Sequence, residues 1–169
     1  SDVEVLYTKK LDVNPCLGEY ACWIKTPGEC FQQDDMKMVV EKLYAANILV
    51  FAAPLYVDGV PGPLKMLMDR LIPFAVPFIE LRDNHCRHAS HGVKPDPFRF
   101  ALVSNCGFWE MDNFDSMVSH MKAFCKNMGS EFCGALLRPH GGAMKPMMQM
   151  GNAMDEILEA AREAGRQLV

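Results

Sequence analysis

Ile48-Leu-Val-Phe-Ala-Ala-Pro-Leu-Tyr-Val-Asp-Gly-Val-Pro-Gly-Pro-Leu-Lys65 is the stretch that decides the fold. Its first six residues, through Ala53, form a short and continuously apolar run, as expected for a strand covered on both faces. The turn from Pro54 to Pro63 follows at once. Pro61-Gly62-Pro63 then opens a helix that places Leu64, Leu67, Met68 and Leu71 on one inner side. Strand, turn and helix in direct succession make the first part of a parallel βαβ unit. Within the turn, Gly59 and Gly62 let backbone approach a ligand, the prolines stiffen the path, and Tyr56 offers a flat face with a polar tip. An ordinary strand-to-helix turn would carry the same residues.

The pattern repeats on both sides of this stretch. Upstream, Val3 to Tyr7 alternates and predicts a strand, followed by a loop from Asn14 to Gln33. Asp34 or Asp35 then caps a helix with Met36, Val39, Val40 and Leu43 on its buried face. Downstream, Pro73 and Pro77 end the helix begun at Pro61, and the polar, His- and Pro-rich segment from Asp83 to Pro97 reads as an excursion loop. Phe100 to Ser104 is a strand. A helix carrying Met117, Met121, Phe124 and Cys125 follows, with Gly129 as its C-cap. Phe132 to Leu137 is a further strand, and Asn152 caps a last helix with Ile157, Leu158, Ala161 and Leu168 inward. Strands alternating with amphipathic helices define an α/β domain spanning residues 1–169, a parallel sheet sandwiched between helices. Such sheets bind ligands beyond the carboxyl ends of their strands. That confines the search to the loops Pro15 to Asp35, Pro54 to Pro63 and Asn105 to Asp115.

Composition narrows the class. A chain of 169 residues, half of them hydrophobic, fills a core without disulfides or metal. A formal charge of −4 and a pI near 5.7 argue against nucleic acid, because no basic stripe is present to neutralise phosphates. Apolar runs such as Ala45 to Tyr56 are too short for a bilayer and contain Asn47 and Pro54, so no membrane partner is expected. Seven cysteines without a secretory leader read as reduced thiols, which sets the expectation of a cytoplasmic protein.

Ser104-Asn-Cys-Gly-Phe-Trp-Glu110 leaves the strand after the decisive one, with small polar groups, a glycine and two aromatics. That suits the edge of a planar heterocycle, or an aromatic plug over the core. Cys106 lacks a visible His–acid pairing and reads as a small filler. Three segments together resemble the flavodoxin-like NAD(P)H-dependent FMN reductases, and among them the branch related to iron–sulfur flavoproteins. They are Cys16 to Asp35, with Cys22-Trp23, Thr26-Pro-Gly-x-Cys30 and Asp34-Asp35; Ala53-Pro-Leu-Tyr56 with Gly62-Pro-Leu-Lys-x-Leu-Met-Asp-Arg70; and Ser104 to Glu110. The resemblance implies a flavodoxin-like three-layer sandwich and bound FMN reduced by NAD(P)H. It places Pro54, Leu55, Tyr56, Val57, Asp58 and Gly59 along one side of the isoalloxazine. Ser104, Asn105, Cys106, Gly107 and Trp109 take the other. No side-chain acid or base is required, since the flavin carries the chemistry. The acceptor implied is a flavin, quinone or other small molecule, or a protein, and a homodimer or homotetramer is expected. Alternatives are an electron-transfer protein without its own NAD(P)H activity, with or without a metal centre, and a cofactor-free interaction domain.

The sequence departs from that family twice. It opens at what matches the family's second strand. The first central strand, phosphate-binding loop and first helix are expected from upstream residues, the alternatives being a shortened sheet or a strand lent by another chain. The cluster-bearing relatives use four close cysteines in the loop matching Cys16 to Cys30. Here Cys16, Cys22 and Cys30 remain and Glu19 stands for the fourth, so no iron–sulfur cluster and no zinc site is expected. Trp23 on this loop suits an interface anchor or a core position. His85 and His88 read as solvated imidazoles. Arg138-Pro-His140-Gly-Gly142 either assists a phosphate or nicotinamide or simply ends a strand. Met144, Met147, Met148 and Met150 read as adaptable packing, or as an oligomer contact if exposed.

Overall fold

In the computed structural model, which describes residues 2–92, 98–151 and 153–169, the regular elements run in the following order. They are α1 (Ala21–Ile24), α2 (Met36–Ala45), β1 (Ile48–Ala52), α3 (Gly62–Asp69), β2 (Ala75–Arg82), β3 (His85–Ser90), β4 (Arg99–Asn105), α4 (Asp115–Met128), β5 (Glu131–Arg138), α5 (Met144–Gln149) and α6 (Asp155–Leu168). β1, β4 and β5 form a parallel sheet in the order β1-β4-β5. The register runs from Ile48 opposite Arg99 to Ala52 opposite Val103, and Asn105 stands opposite Arg138. All three strands therefore end level, and their exit turns share one edge.

One face of the sheet carries the core. Phe51, Phe100 and Leu102 meet Val39 and Leu43 of α2, Leu64, Leu67 and Met68 of α3, and Met117, Met121 and Cys125 of α4. The periodicities read from the sequence are thus met: every one of these helical residues is buried. Gly129, with φ of 65°, ends α4 in the left-handed turn that glycine adopts without steric cost. Asp34 serves as the cap of α2, its Oδ1 accepting the Met36 N–H at 3.1 Å.

Four expectations are corrected. Val3 to Tyr7 is not a strand: with no neighbour to pair with, this run leads into a single 3₁₀ turn at Thr8–Lys10, and Val3, Val5 and Tyr7 are exposed. β1 is covered on one face only, since Phe51 is buried while Val50 is 44% exposed. The segment after Pro77 is an antiparallel hairpin rather than an excursion loop; β2 and β3 pair from Ala75 opposite Ser90 to Arg82 opposite His85. Asp83 and Asn84 turn it with φ of 53° and 59°, and Pro77 falls where the register shifts and its missing N–H costs nothing. Residues 93–97 of that expected loop, and the expected cap Asn152, lie outside the described residues. Finally, α6 has no buried residue; Ile157, Leu158, Ala161 and Leu168 are half-buried. No helix among the described residues is long and apolar enough to cross a membrane.

A buried ion pair ties the loop before α2 to the end of α3. Arg70 is 2% exposed, and its Nη1 and Nη2 donate to Asp34 Oδ2 and Oδ1 at 2.6 and 3.1 Å. Nη1 also reaches Asn14 O at 2.7 Å, and Asn14 N–H donates to Asp34 Oδ2 at 3.0 Å. Burial on its own would raise the Asp34 pKa. The bonds from Arg70, Asn14 and Met36 outweigh it and hold the carboxyl at about 2.

Candidate functional site

The exit turns of β1 and β4 meet directly. The ladder continues past the strands: Ala53 N–H donates to Val103 O at 3.0 Å, and Leu55 N–H to Asn105 O at 2.7 Å. From there the first turn closes on itself, with Tyr56 N–H to Gly59 O at 3.0 Å and Gly59 N–H to Tyr56 O at 3.1 Å. Its two central residues, Val57 and Asp58, have φ of 47° and 58°. Asp58 tolerates this backbone, whereas a β-branched residue there is a true outlier. Ser116 at the start of α4 pins the turn, its Oγ donating to Asp58 O at 2.5 Å.

A third turn joins them. Cys106 N–H donates to Arg138 O at 3.3 Å, Gly141 N–H to Cys106 O at 3.1 Å, and His140 N–H to Phe108 O at 2.7 Å. Gly141 is needed for this approach, because a Cβ there would lie 2.6 Å from the Cβ of Asn105. The sequence signal for this turn was the Gly141-Gly142 pair directly after a strand; what it approaches could only be seen once the strands were in register.

Two properties define the surface so formed. The backbone N–H groups of Val57, Asp58, Gly107, Phe108 and Trp109 donate no hydrogen bond among the described residues. Around them stand exposed rings: Tyr56 is 62% exposed, Trp109 is 72%, and Phe108 is likewise open. Unpaired donors flanked by aromatic faces fit a flat ring with an electron-rich polar edge. Pro54, Leu55 and Gly59 form the half-buried base of the first turn, and Asn105 and Gly107 the exposed lip of the second. Ser104 and Cys106 face inward. The Ser104 hydroxyl lies 3.5 Å from Met117 Sδ, and the Cys106 thiol contacts Phe108 O at 3.4 Å.

The cysteine loop lies elsewhere and is built differently. Cys16, Glu19, Cys22 and Cys30 line one recess together with Arg70. Burial raises the Cys22 pKa, and Cys30, Glu19 and Cys16 beside it raise it further. Glu19 Oε2 is engaged by the Ala21 N–H at 2.5 Å. No group of three or more His, Cys, Asp or Glu among the described residues is arranged to hold a metal ion. The donor set is three thiols and a carboxylate, where a four-iron cluster takes four thiolates. Trp23 on this loop donates to Ile72 O at 3.3 Å and packs on Tyr20 and on His88 of β3, which ties the hairpin to the loop. His85 is exposed, and Met148 and Met150, at and after the end of α5, are exposed too.

A parallel α/β sheet packed with helices, its exit turns gathered at the carboxyl ends of the strands, defines a flavodoxin-like protein. The pattern of the NADPH-dependent FMN reductases matches residues 1–85, and the chain belongs to that family. An iron–sulfur flavoprotein of Methanocaldococcus jannaschii is 34% identical over 77 residues, which is 46% of this chain and 39% of that protein. The chain thus matches about two fifths of that relative's length. Among solved structures, a flavone reductase superposes with a TM-score of 0.63 at 14% identity, covering 99% of this chain and 51% of the other. A putative quinone reductase from Klebsiella pneumoniae gives 0.51 at 20% identity, covering 82% and 60%. At these identities the structural likeness speaks for the fold alone.

Proposed function

We propose that this chain forms the ring-binding part of an FMN-dependent oxidoreductase that takes reducing equivalents from NAD(P)H and passes them to a flavin, quinone or other small acceptor. One observation carries the reading. Two strand-exit turns, joined by the Leu55–Asn105 hydrogen bond, present five unpaired backbone donors between exposed aromatic rings. Family membership supports the cofactor.

Bound there, FMN supplies the redox chemistry, accepting a hydride from the nicotinamide and giving electrons to the acceptor. The chain's own residues bind and orient. The amides of Val57 and Asp58 on one turn, and of Gly107 to Trp109 on the other, suit the carbonyl and ring-nitrogen edge of the flavin. Donors fixed by the fold favour negative charge there at little reorganisation cost. Tyr56 and Trp109 add stacking area and exclude water from the ring. No side chain in these turns needs to move a proton.

The name of the Methanocaldococcus relative raises the question of a cluster; the Cys16–Cys30 loop offers three thiols and the Glu19 carboxylate, a poorer donor set for one than four thiolates. The hairpin's exposed Phe78, Ile79 and Leu81 support the expectation of a homo-oligomer.

The test is anaerobic reduction. Protein loaded with FMN and mixed with NADPH or NADH is expected to lose its flavin absorbance within minutes. Protein that takes up no FMN, or whose bound flavin is untouched by either nucleotide, contradicts the reading.

A further inference from the structure

His140 is half-buried in the β5 exit turn, and its ring lies flat on the indole of Trp109, with centroids 3.9 Å apart and planes inclined by 19°. Its Nδ1 sits 3.1 Å from Gly107 O, and its backbone N–H donates to Phe108 O at 2.7 Å. One residue of β5's turn therefore grips three consecutive residues of β4's turn. The backbone at His140 is left-handed, with φ of 49°. Glycine adopts that conformation freely, and two glycines stand next in the chain, yet the position carries an imidazole.

Trp109 needs such a partner. At 72% exposed it lacks the surrounding packing that would fix a large side chain, and a wall that rotates cannot hold a planar ring. We propose that His140 is a positioning residue: its stack and its contact with Gly107 O hold the Trp109 indole in one orientation beside the β4 exit turn. That this orientation serves a flavin rests on the reading given above; the grip itself does not.

The test uses the protein of these 169 residues carrying Trp23→Phe, which leaves Trp109 as the sole indole among them. His140→Gly removes the ring and relieves the left-handed backbone, so a folding defect is not expected. His140→Phe keeps a stacking ring and removes Nδ1. Without FMN, acrylamide quenching of Trp109, already 72% exposed, is expected to rise by up to about 1.4-fold and its fluorescence anisotropy to fall in His140→Gly, with His140→Phe restoring most of both. With FMN, uptake is expected to weaken about 2- to 12-fold in His140→Gly, the worth of one aromatic pair. An indole as shielded and as immobile in His140→Gly as in the parent overturns the proposal, whatever the flavin result. A parent that takes up no FMN while His140→Gly still frees the indole overturns the flavin reading and leaves the grip standing.

Discussion

The Asp34–Arg70 junction and the three exit turns are held by opposite means. At the junction, charges are paired bidentately, the carboxylate accepts further backbone donors, and both side chains are sealed from water. At the turns, five backbone donors lie on exposed residues with no partner from the chain, Val57 sits in a left-handed conformation that β-branched residues avoid, and large rings face solvent. The difference separates scaffold from site. Backbone strain persists where the surrounding contacts over-determine the geometry, and such positions cluster at functional sites.

The contrast can be broken from either side. The largest effect is expected from Asp34→Ala, which leaves Arg70 buried and unpaired and should cost about 3–5 kcal/mol in urea unfolding. Asp34→Leu combined with Arg70→Met should recover much of that loss, because no charge is then stranded. Acid should report the same pair. The folded Asp34 pKa of about 2 lies below the unfolded value near 3.9, so its stabilisation is complete above about pH 4 and is lost as pH falls toward 2. The loss should amount to about 2–3 kcal/mol, and Asp34→Asn should flatten that part of the stability–pH curve.

Changes at the turns should be smaller in stability and larger in binding. Gly141→Ala drives a methyl into Asn105 and should cost about 1–3 kcal/mol, with FMN uptake weakened at least as much as stability. Val57→Gly relieves the left-handed backbone, and a melting experiment should show a gain of about 1 kcal/mol at most, since glycine also loosens the unfolded chain. A loss of stability there would mean that Val57 is not strained.

Much of the scaffold was legible in the chain. The helical spacing of Met36, Val39 and Leu43, and of Met117, Met121 and Cys125, names residues that the core buries, and the strand-exit positions of Tyr56 and Gly107 follow from apolar runs that end at Ala53 and Ser104. The hairpin is obscured by the composition of its strands. Asp83-Asn84 is a two-residue turn signal, but the His- and Pro-rich surroundings of β3 mask the pairing. Val3 to Tyr7 alternates as strands do, yet a strand is a property of pairs and the pattern carries no partner. The Asp34–Arg70 bond and the His140–Trp109 stack join residues 36 and 31 positions apart, and no local pattern announces either. They arise from register, which is set only when the sheet is assembled.

The central claim is that the turns around Tyr56 and Gly107 clasp one flat ring between them. Amide chemical shifts followed during FMN titration of the ¹⁵N-labelled protein test it most directly. The N–H signals of Val57, Asp58, Gly107, Phe108 and Trp109 should move together and saturate at one common concentration. Shifts confined to one turn, or centred on the Cys16–Cys30 loop, would contradict it.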